Sequence, residues 1–390
     1  MEEEKDFYKY FNEECDLHDS LLGNFENEND YNYFSENLTL YFEKIKNPLK
    51  RDDLMIILRI LVAVSNNHYR CSNFFQKIEK IFLYFKCEIK KIFLNDEIFD
   101  FFKSNKRLLL FFIKENILIL NEKIVKDFDD SNLSYFAPEI NIWLQTNSKV
   151  KINKEKLDQV LKNVQDFEQK RHEGENEEYI CQIIRNDAVE EFIAYMNRSN
   201  IPLSINVKPS IFETNEYLLN ANPNLIDYSV FFGSIQIFQF LKLNNVELTP
   251  ALWMYAIHGR NPEIIHILEE SNILPPENSF LDCFIESIKC HHNELANYFQ
   301  NNYLSQDEYE QLENNQQCCL IDYIFQFHNY RFVSDHPNHH LFFCYLCKYS
   351  FTEIVNLLIE NNCIDFDIKK AIINFILILH KIQIKKYLCN

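Results

Sequence analysis

The chain has 390 residues, is 47% hydrophobic and carries a formal net charge of -19. That length and apolar content exclude a disordered chain and support a large core. The acidic balance argues against a surface built for a phosphate backbone, so no nucleic-acid partner is expected. Only 4 Gly and 10 Pro stand beside 35 Phe and 21 Tyr. A large β or open α/β fold would need more turn residues, so the composition predicts an all-α protein.

The first segment, 1–30, reads as an acidic leader. It holds eleven carboxylates (Glu2, Glu3, Glu4, Asp6, Glu13, Glu14, Asp16, Asp19, Glu26, Glu28 and Asp30) against Lys5 and Lys9. It is expected to be solvated and partly frayed, with a docking arm for a basic partner as the other reading. The start lacks a basic, apolar signal sequence, and the longest apolar stretches, Leu108–Ile113 and Ala371–Leu379, are too short to cross a bilayer. The expectation is a cytoplasmic or nuclear protein with no membrane insertion, whose 12 scattered cysteines are reduced and mostly act as small apolar residues.

An N-terminal helical block follows over 31–126. Asp52–Val64 is apolar nearly all round and predicts a buried helix. Phe74–Phe85 has apolar residues at spacings of 3 and 4. Glu97–Lys103 and Lys106–Glu115, separated by Ser104-Asn105, predict an antiparallel pair. The stretch 127–172 reads as a connecting region, with Pro138, a short amphipathic piece at Glu139–Leu144 carrying Trp143, and a charged helix over Lys154–Arg171 that breaks near Gly174.

From 173 to 390 the pattern becomes helix, tight joint, helix. Tyr179–Arg185 pairs with Val189–Met196, Leu225–Phe232 with Ile235–Leu243, Ala251–His258 with Glu263–Glu270, and Leu281–Lys289 with Glu294–Gln300 across Cys290–Asn293. Cys318–Phe327 begins another helix. Phe342–Lys348 with Thr352–Asn361, then Ala371–His380 with Gln383–Leu388, continue to the end. Gly233 and Gly259 stand at matching joints, where a positive φ or a close approach of helices is expected. If the Gly259 joint needs φ > 0, Gly259→Val is expected to destabilise the fold strongly.

A two-residue ending recurs through the chain: Asn116-Ile117, Asn200-Ile201, Asn245-Val246, Asn272-Ile273 and Asn362-Cys363. Asn tolerates the left-handed conformation that closes a helix, and the following apolar residue can fold back on the last turn. Reuse of one such unit predicts a solenoid of stacked helix pairs. In such a stack Trp253, Ile257 and Leu268 read as core.

Thr249-Pro250, Leu252, Ala256 and Gly259, then Glu263-Ile264-Ile265 and Leu268, resemble an ankyrin repeat one residue longer than usual. Glu353–Asn362 is similar to an ordinary second ankyrin helix, with Asn362 where Gly is usual. The run Leu225–Glu270 resembles a domain of unknown function found in ankyrin-repeat proteins of parasitic protists (trichomonad type). Asn66-Asn67-His68, Ser72-Asn73-Phe74-Phe75 and Lys103-Ser104-Asn105-Lys106-Arg107 resemble the N-terminal block of the same proteins. The resemblance implies a helical solenoid of divergent ankyrin repeats that binds other proteins, with no catalytic residues and no cofactor. The recognisable array is short, which implies a small concave surface.

Chemical motifs are sparse. The residues after the four Gly (Asn24, Glu175, Ser234 and Arg260) form no phosphate-binding loop, and no nucleophile elbow or H-E-x-x-H helix occurs. Acid pairs such as Glu269-Glu270 read as solvated faces. One cluster has metal-ligand chemistry: Cys318, Cys319, His328, His336, His339, His340, Cys344 and Cys347. Thiolate and imidazole suit zinc, and Cys344-x-x-Cys347 has ligand spacing. Tyr345 and Leu346 place that pair in a helical run, where two sulfurs more often join a core. The main reading is thus a non-catalytic protein-interaction scaffold, the alternative a zinc-stabilised helical module, and the third an enzyme with an unrecognised pocket.

Overall fold

The computed structural model describes residues 16–23, 25, 51–70, 73–147, 164–314, 320–333, 339–349, 351 and 355, and the statements below concern these. They form helices throughout, and the one β-bridge among them joins Asn206 and Asn224. None of these helices is long and apolar enough to cross a membrane. The chain divides into two compact units, 61–303 and 1–60 with 304–390.

The unit 61–303 begins with the end of α1 (Arg51–Asn67) and continues through α2 (Phe74–Tyr84), α3 (Lys86–Ile92), α4 (Asn95–Phe102), α5 (Lys106–Lys114), α6 (Glu122–Asp127), α7 (Asp130–Tyr135), α8 (Ala137–Thr146) and α9 (Val164–Glu173). The connecting region holds α7 and, in α8, the amphipathic piece expected over Glu139–Leu144, and Pro138 sits in the first turn of α8, where its missing N–H costs no intrahelical bond. The joint Ser104-Asn105 is as tight as expected. Asn105 caps α5 by accepting from Leu108 N at 3.0 Å, and its Nδ2 donates to Asn66 Oδ1 at 2.8 Å.

Four helix pairs follow: α10 (Tyr179–Arg185) with α11 (Val189–Ser199), then, after the short α12 (Glu216–Asn220), α13 (Leu225–Phe231) with α14 (Ile235–Leu243), α15 (Leu252–Gly259) with α16 (Pro262–Glu270), and α17 (Leu281–Lys289) with α18 (Asn293–Asn302). First helices stack on first helices, α10 on α13, α13 on α15 and α15 on α17. Second helices do the same, α11 on α14 and α14 on α16. This inner row is why α13 buries Leu225, Ile226, Tyr228, Ser229, Val230 and Phe231, whereas α14 buries one stripe, Ile237, Phe238 and Leu241. Trp253, Ile257 and Leu268 are core as expected, and Trp253 Nε1 donates to Ile273 O at 2.7 Å. Glu269, expected to be solvated, instead accepts from Tyr298 and Tyr303 at 2.6 and 2.7 Å and ties α16 to the next pair.

The repeated Asn endings behave as read. Asn116, Asn200, Asn245 and Asn272 all have φ between 49° and 61°. Ile117, Val246 and Ile273 turn back so that their N–H groups reach the carbonyls of Phe112, Leu241 and Leu268 at 2.9, 3.1 and 3.1 Å, which closes the helix end. Asn362 lies outside the described residues. The joints inside each pair use the same left-handed step with other residues: Asp187, Gly233, Arg260 and His291.

Gly259 meets the second of the two expectations, close approach, and not the first. It ends α15 in helical conformation, and Arg260 takes the positive φ, at 51°. Gly259 is required for approach instead. A Cβ there would lie 2.2 Å from Val230 O and 3.1 Å from Gly233 N, so backbone meets backbone where α15 crosses α13. Gly233 meets both demands, with φ +68° and a Cβ position 3.0 Å from Gly259 O.

In the unit 1–60 with 304–390, residues 16–23 of the acidic leader are helical and bury Leu17, Leu21 and Leu22, so this stretch packs rather than fraying. α19 (Gln306–Asn314), α20 (Leu320–Phe327) and α21 (His339–Lys348) belong to the same unit. Phe325 of α20 lies against Tyr330, Tyr345, Tyr349 and Phe351, with ring centroids 5.3 to 6.4 Å apart. Of the helices expected over Thr352–Asn361, Ala371–His380 and Gln383–Leu388, only Val355, which is helical, lies among the described residues.

Gly259→Ala should destabilise the fold by about 2–3 kcal/mol, since the added methyl has only backbone to displace. Arg260→Gly should stay within about 1 kcal/mol of wild type, because it relieves a left-handed side chain. Urea midpoints of the two variants decide the matter, and equal effects would reject the close-approach account.

Candidate metal centre

At the seam between the third and fourth pairs the joint ends of the first helices bring polar side chains together. His258 stands just before Gly259 in α15. Glu286 and Cys290 lie one helical turn apart on α17 and so share a face. The ligand atoms of these three residues all fall within 4.8 Å of one another. His258 and Cys290 are buried and Glu286 is 14% exposed at its side chain. The His258 ring is clamped between Tyr217 and Phe231, at centroid distances of 4.4 and 5.1 Å.

His258 Nε2 lies 2.8 Å from Glu286 Oε1, and Lys289 Nζ donates to the same oxygen at 3.0 Å. Burial works to raise the Glu286 carboxyl, but the hydrogen bond and charge of His258, with Lys289, outweigh it and hold the group at about 2. Cys290 Sγ is 3.5 Å from Nδ1 and 3.7 Å from Nε2 of His258. Being nearly equidistant from both nitrogens, the sulfur rests against the ring rather than in line with one lone pair. Burial, then the Glu286 charge, push the Cys290 thiol well above its ordinary value, with Lys289 opposing.

Tetrahedral zinc, with bonds of about 2.0–2.3 Å, separates an imidazole nitrogen from a thiolate by about 3.6 Å and from a carboxylate oxygen by about 3.4 Å. The observed 3.7 Å between Nε2 and Sγ meets that spacing, and the 2.8 Å between Nε2 and Oε1 is a hydrogen bond that must open. The donor set has the chemistry of a divalent transition-metal site, and both the thiol and the carboxylate would have to turn to face one ion. Without an ion it is a buried hydrogen-bonded pair with a thiol beside it.

More histidine surrounds the triad. His68 Nδ1 donates to Cys290 O at 2.9 Å, and its ring lies 4.9 Å from that of His292. His292 is 2% exposed, and neither of its ring nitrogens has a hydrogen-bond partner. Burial first, then the neighbouring His68 and Arg260, drive its imidazole well below the ordinary value, so it is neutral. Neutral imidazole is the form that ligates metals.

His258 also lines a cavity of about 240 Å³, together with Asn67, His68, Arg70, Glu175, Arg185, Asn215, Phe231 and Phe232. Glu175 there pairs with Arg185 at 2.7 Å. Glu213, in the same unit, is fully buried, with Oε1 accepting from Thr214 N and Asn215 N and Oε2 without a partner. Burial raises its carboxyl above the ordinary 4.5, with Arg70 and the Asn215 N–H opposing.

The Cys/His cluster over 318–347, read as the alternative zinc site, lies largely outside the described side chains. Cys318, Cys319 and His336 lie outside the described residues, as do the side chains of His339, His340 and Cys344. His328 takes a left-handed joint and shares a hydrogen bond with Tyr330 Oη at 2.7 Å, and Cys347 is half-buried. The triad His258, Glu286 and Cys290 was missed because its donors come from two pairs. The available signal was the dense run Glu286, Cys290, His291, His292, one repeat after His258. No family model, no curated protein and no solved structure matches the chain.

In metal-free protein a double-mutant cycle of His258→Gln and Glu286→Gln should give a coupling of about 1–3 kcal/mol. Additive losses would mean the pair does not form. Glu213 sets a pH dependence of known sign. A raised folded-state value means that the folded chain holds this proton more tightly, so stability falls as pH rises above about 4.5. Glu213→Gln should therefore gain on wild type between pH 4 and pH 7 in chemical denaturation, and a shift the other way would reject the assignment.

Proposed function

We propose that this chain is a metal-stabilised helical-repeat scaffold, in which His258, Glu286 and Cys290 hold one zinc ion across the seam of the third and fourth helix pairs. The observation that carries this reading is the convergence of a thiol, an imidazole and a carboxylate from two neighbouring pairs at one buried point. Thiolate with imidazole selects a borderline-soft ion, so zinc is favoured over magnesium or calcium. Three protein donors leave one position for water or a fourth ligand. The ion's chemistry is that of a cross-link: it holds α15 to α17 and neutralises the Cys290 thiolate, which burial otherwise disfavours.

The stacked pairs support the remainder of the reading, that the protein presents an ankyrin-like surface to protein partners and is not an enzyme. The outer faces of the second helices carry little packing duty, so they are free to recognise.

Purified protein should contain one zinc per chain by elemental analysis. At free zinc a thousandfold above Kd the gain is about 4 kcal/mol, or roughly 10 °C in Tm, and a chelator should remove it. Cobalt substitution should produce a thiolate charge-transfer band that Cys290→Ser abolishes. Protein that takes up no zinc and melts identically with and without chelator overturns the metal assignment.

A further inference from the structure

Two apolar side chains of the N-terminal helical block stand in solvent, Leu94 at 73% and Ile119 at 65% exposure. They are held side by side. Asn95 Nδ2 donates to Ile119 O at 2.9 Å, and Asn95 Oδ1 accepts from Ile119 N at 2.8 Å. At the other end of α3, Lys86 pairs with Glu115 at 3.0 Å. The stretch 115–119 therefore runs along α3, and the apolar pair lies where both finish. Leu94 also breaks a local rule. It is the N-cap of α4, a position that favours Ser, Thr, Asp or Asn, whose side chains accept from the first N–H groups of a helix, and leucine has nothing to accept with. Glu97 Oε2 accepts from Leu94 N at 2.8 Å, so one half of a capping box is in place and its leading residue is the exception. A side chain that neither packs nor caps, where a polar one would stabilise the helix, marks a surface kept for contact.

The charges around the pair have a sign. Asp96 is taken by Lys123 at 2.7 Å, Glu97 by the Leu94 N–H, and Glu122 by Lys126 at 2.6 Å. Lys90 and Lys91, in the last turn of α3, are exposed and pair with no carboxylate among the described residues. From α3 to the end of α6 the chain holds nine Lys and Arg against seven Asp and Glu, in a protein whose net charge is -19.

We propose that Leu94, Ile119, Lys90 and Lys91 form a docking surface for a short acidic protein segment that carries apolar side chains. The carboxylates of the segment face the two lysines, and its apolar residues cover the leucine and the isoleucine. An anionic bilayer offers similar chemistry but fits less well. Charges act over about 8 Å at physiological salt, so a narrow peptide on α3 meets the local lysines, whereas a bilayer also meets the acidic remainder of the chain. The proposal extends the scaffold reading above to a class of partner, and it needs no metal ion.

Fluorescence anisotropy of a labelled E-E-F-L-E-E-L-F-E-E peptide, titrated with the full chain in the presence of chelator, tests the proposal. The peptide should bind saturably, and more weakly as salt rises. A peptide with Gly and Ser in place of Phe and Leu should not bind. Lys90→Glu combined with Lys91→Glu should weaken binding about tenfold or more. Leu94→Ser should do the same while melting no lower than wild type, because serine is the better cap. Phosphatidylserine vesicles should not sediment the chain. No binding of the peptide, unchanged binding in either variant, or a Leu94→Ser protein that melts lower overturns the proposal. So does vesicle binding that Leu94→Ser abolishes, or a dimer in ultracentrifugation that Leu94→Ser dissociates. Failure here rejects this surface and leaves the stacked pairs as the recognising face, and the zinc reading is decided separately by elemental analysis.

Discussion

Backbone contact between neighbouring first helices is the constraint on which the repeat region depends. Where α15 crosses α13, the space for a side chain at Gly259 is taken by Val230 O, 2.2 Å from where a Cβ would stand. Two helices can lie this close only if one has no side chain at the crossing. The same crossing is stitched by Asn261 Nδ2 to Gly233 O at 2.9 Å, and one pair earlier by Ser234 Oγ to Ile184 O at 2.6 Å. Asp187 then caps α14 of the next pair, accepting from Gln236 N and Ile237 N at 3.0 Å. The joints form a hydrogen-bonded line beside the apolar stack, so the seams are held by direction as well as by burial.

That line ends in the triad. Gly259 faces back to α13, and the residue before it, His258, reaches forward to α17. The fourth joint repeats the left-handed step at His291, which sets Cys290 and His292 on either side of a turn. The Cys290 carbonyl accepts from His68, so the segment after α1 is tied to the same point. The chemistry of the site is thus a consequence of repeat geometry at one seam where the joint residues happen to be donors.

The helical class, the pairing and the Asn endings were legible because they rest on local rules: period, capping and left-handed tolerance. Gly259 shows the limit. Its role lies in the distance to another pair, and sequence spacing left close approach and a positive φ as equal readings, the second of which Arg260 fills instead. Over 127–147 the amphipathic piece Glu139–Leu144 was legible, whereas α7 and the start of α8 were hidden by polar residues and by Pro138, which reads as a breaker until its place in a first turn is known. The metal triad was illegible for the same reason as Gly259. His258 and Glu286 meet only through stacking, whereas the cluster over 318–347 was conspicuous because its members are close in sequence.

The location of the triad also fits the energetics of a repeat stack. Each inner pair is held by a neighbour on both sides, while the fourth pair has one neighbour of its own kind within the unit 61–303. Nearest-neighbour interfaces supply most of the stability of such arrays, so an end pair, the fourth like the first, rests on a single seam. An apolar seam would strengthen it most simply, yet this one buries an imidazole, a thiol and a carboxylate, groups that cost free energy unless paired. Paired only with each other, they add little over leucine. On the proposed reading, one ion would turn the same three groups into a cross-link between the third pair and the fourth, and so offset the cost of burying them.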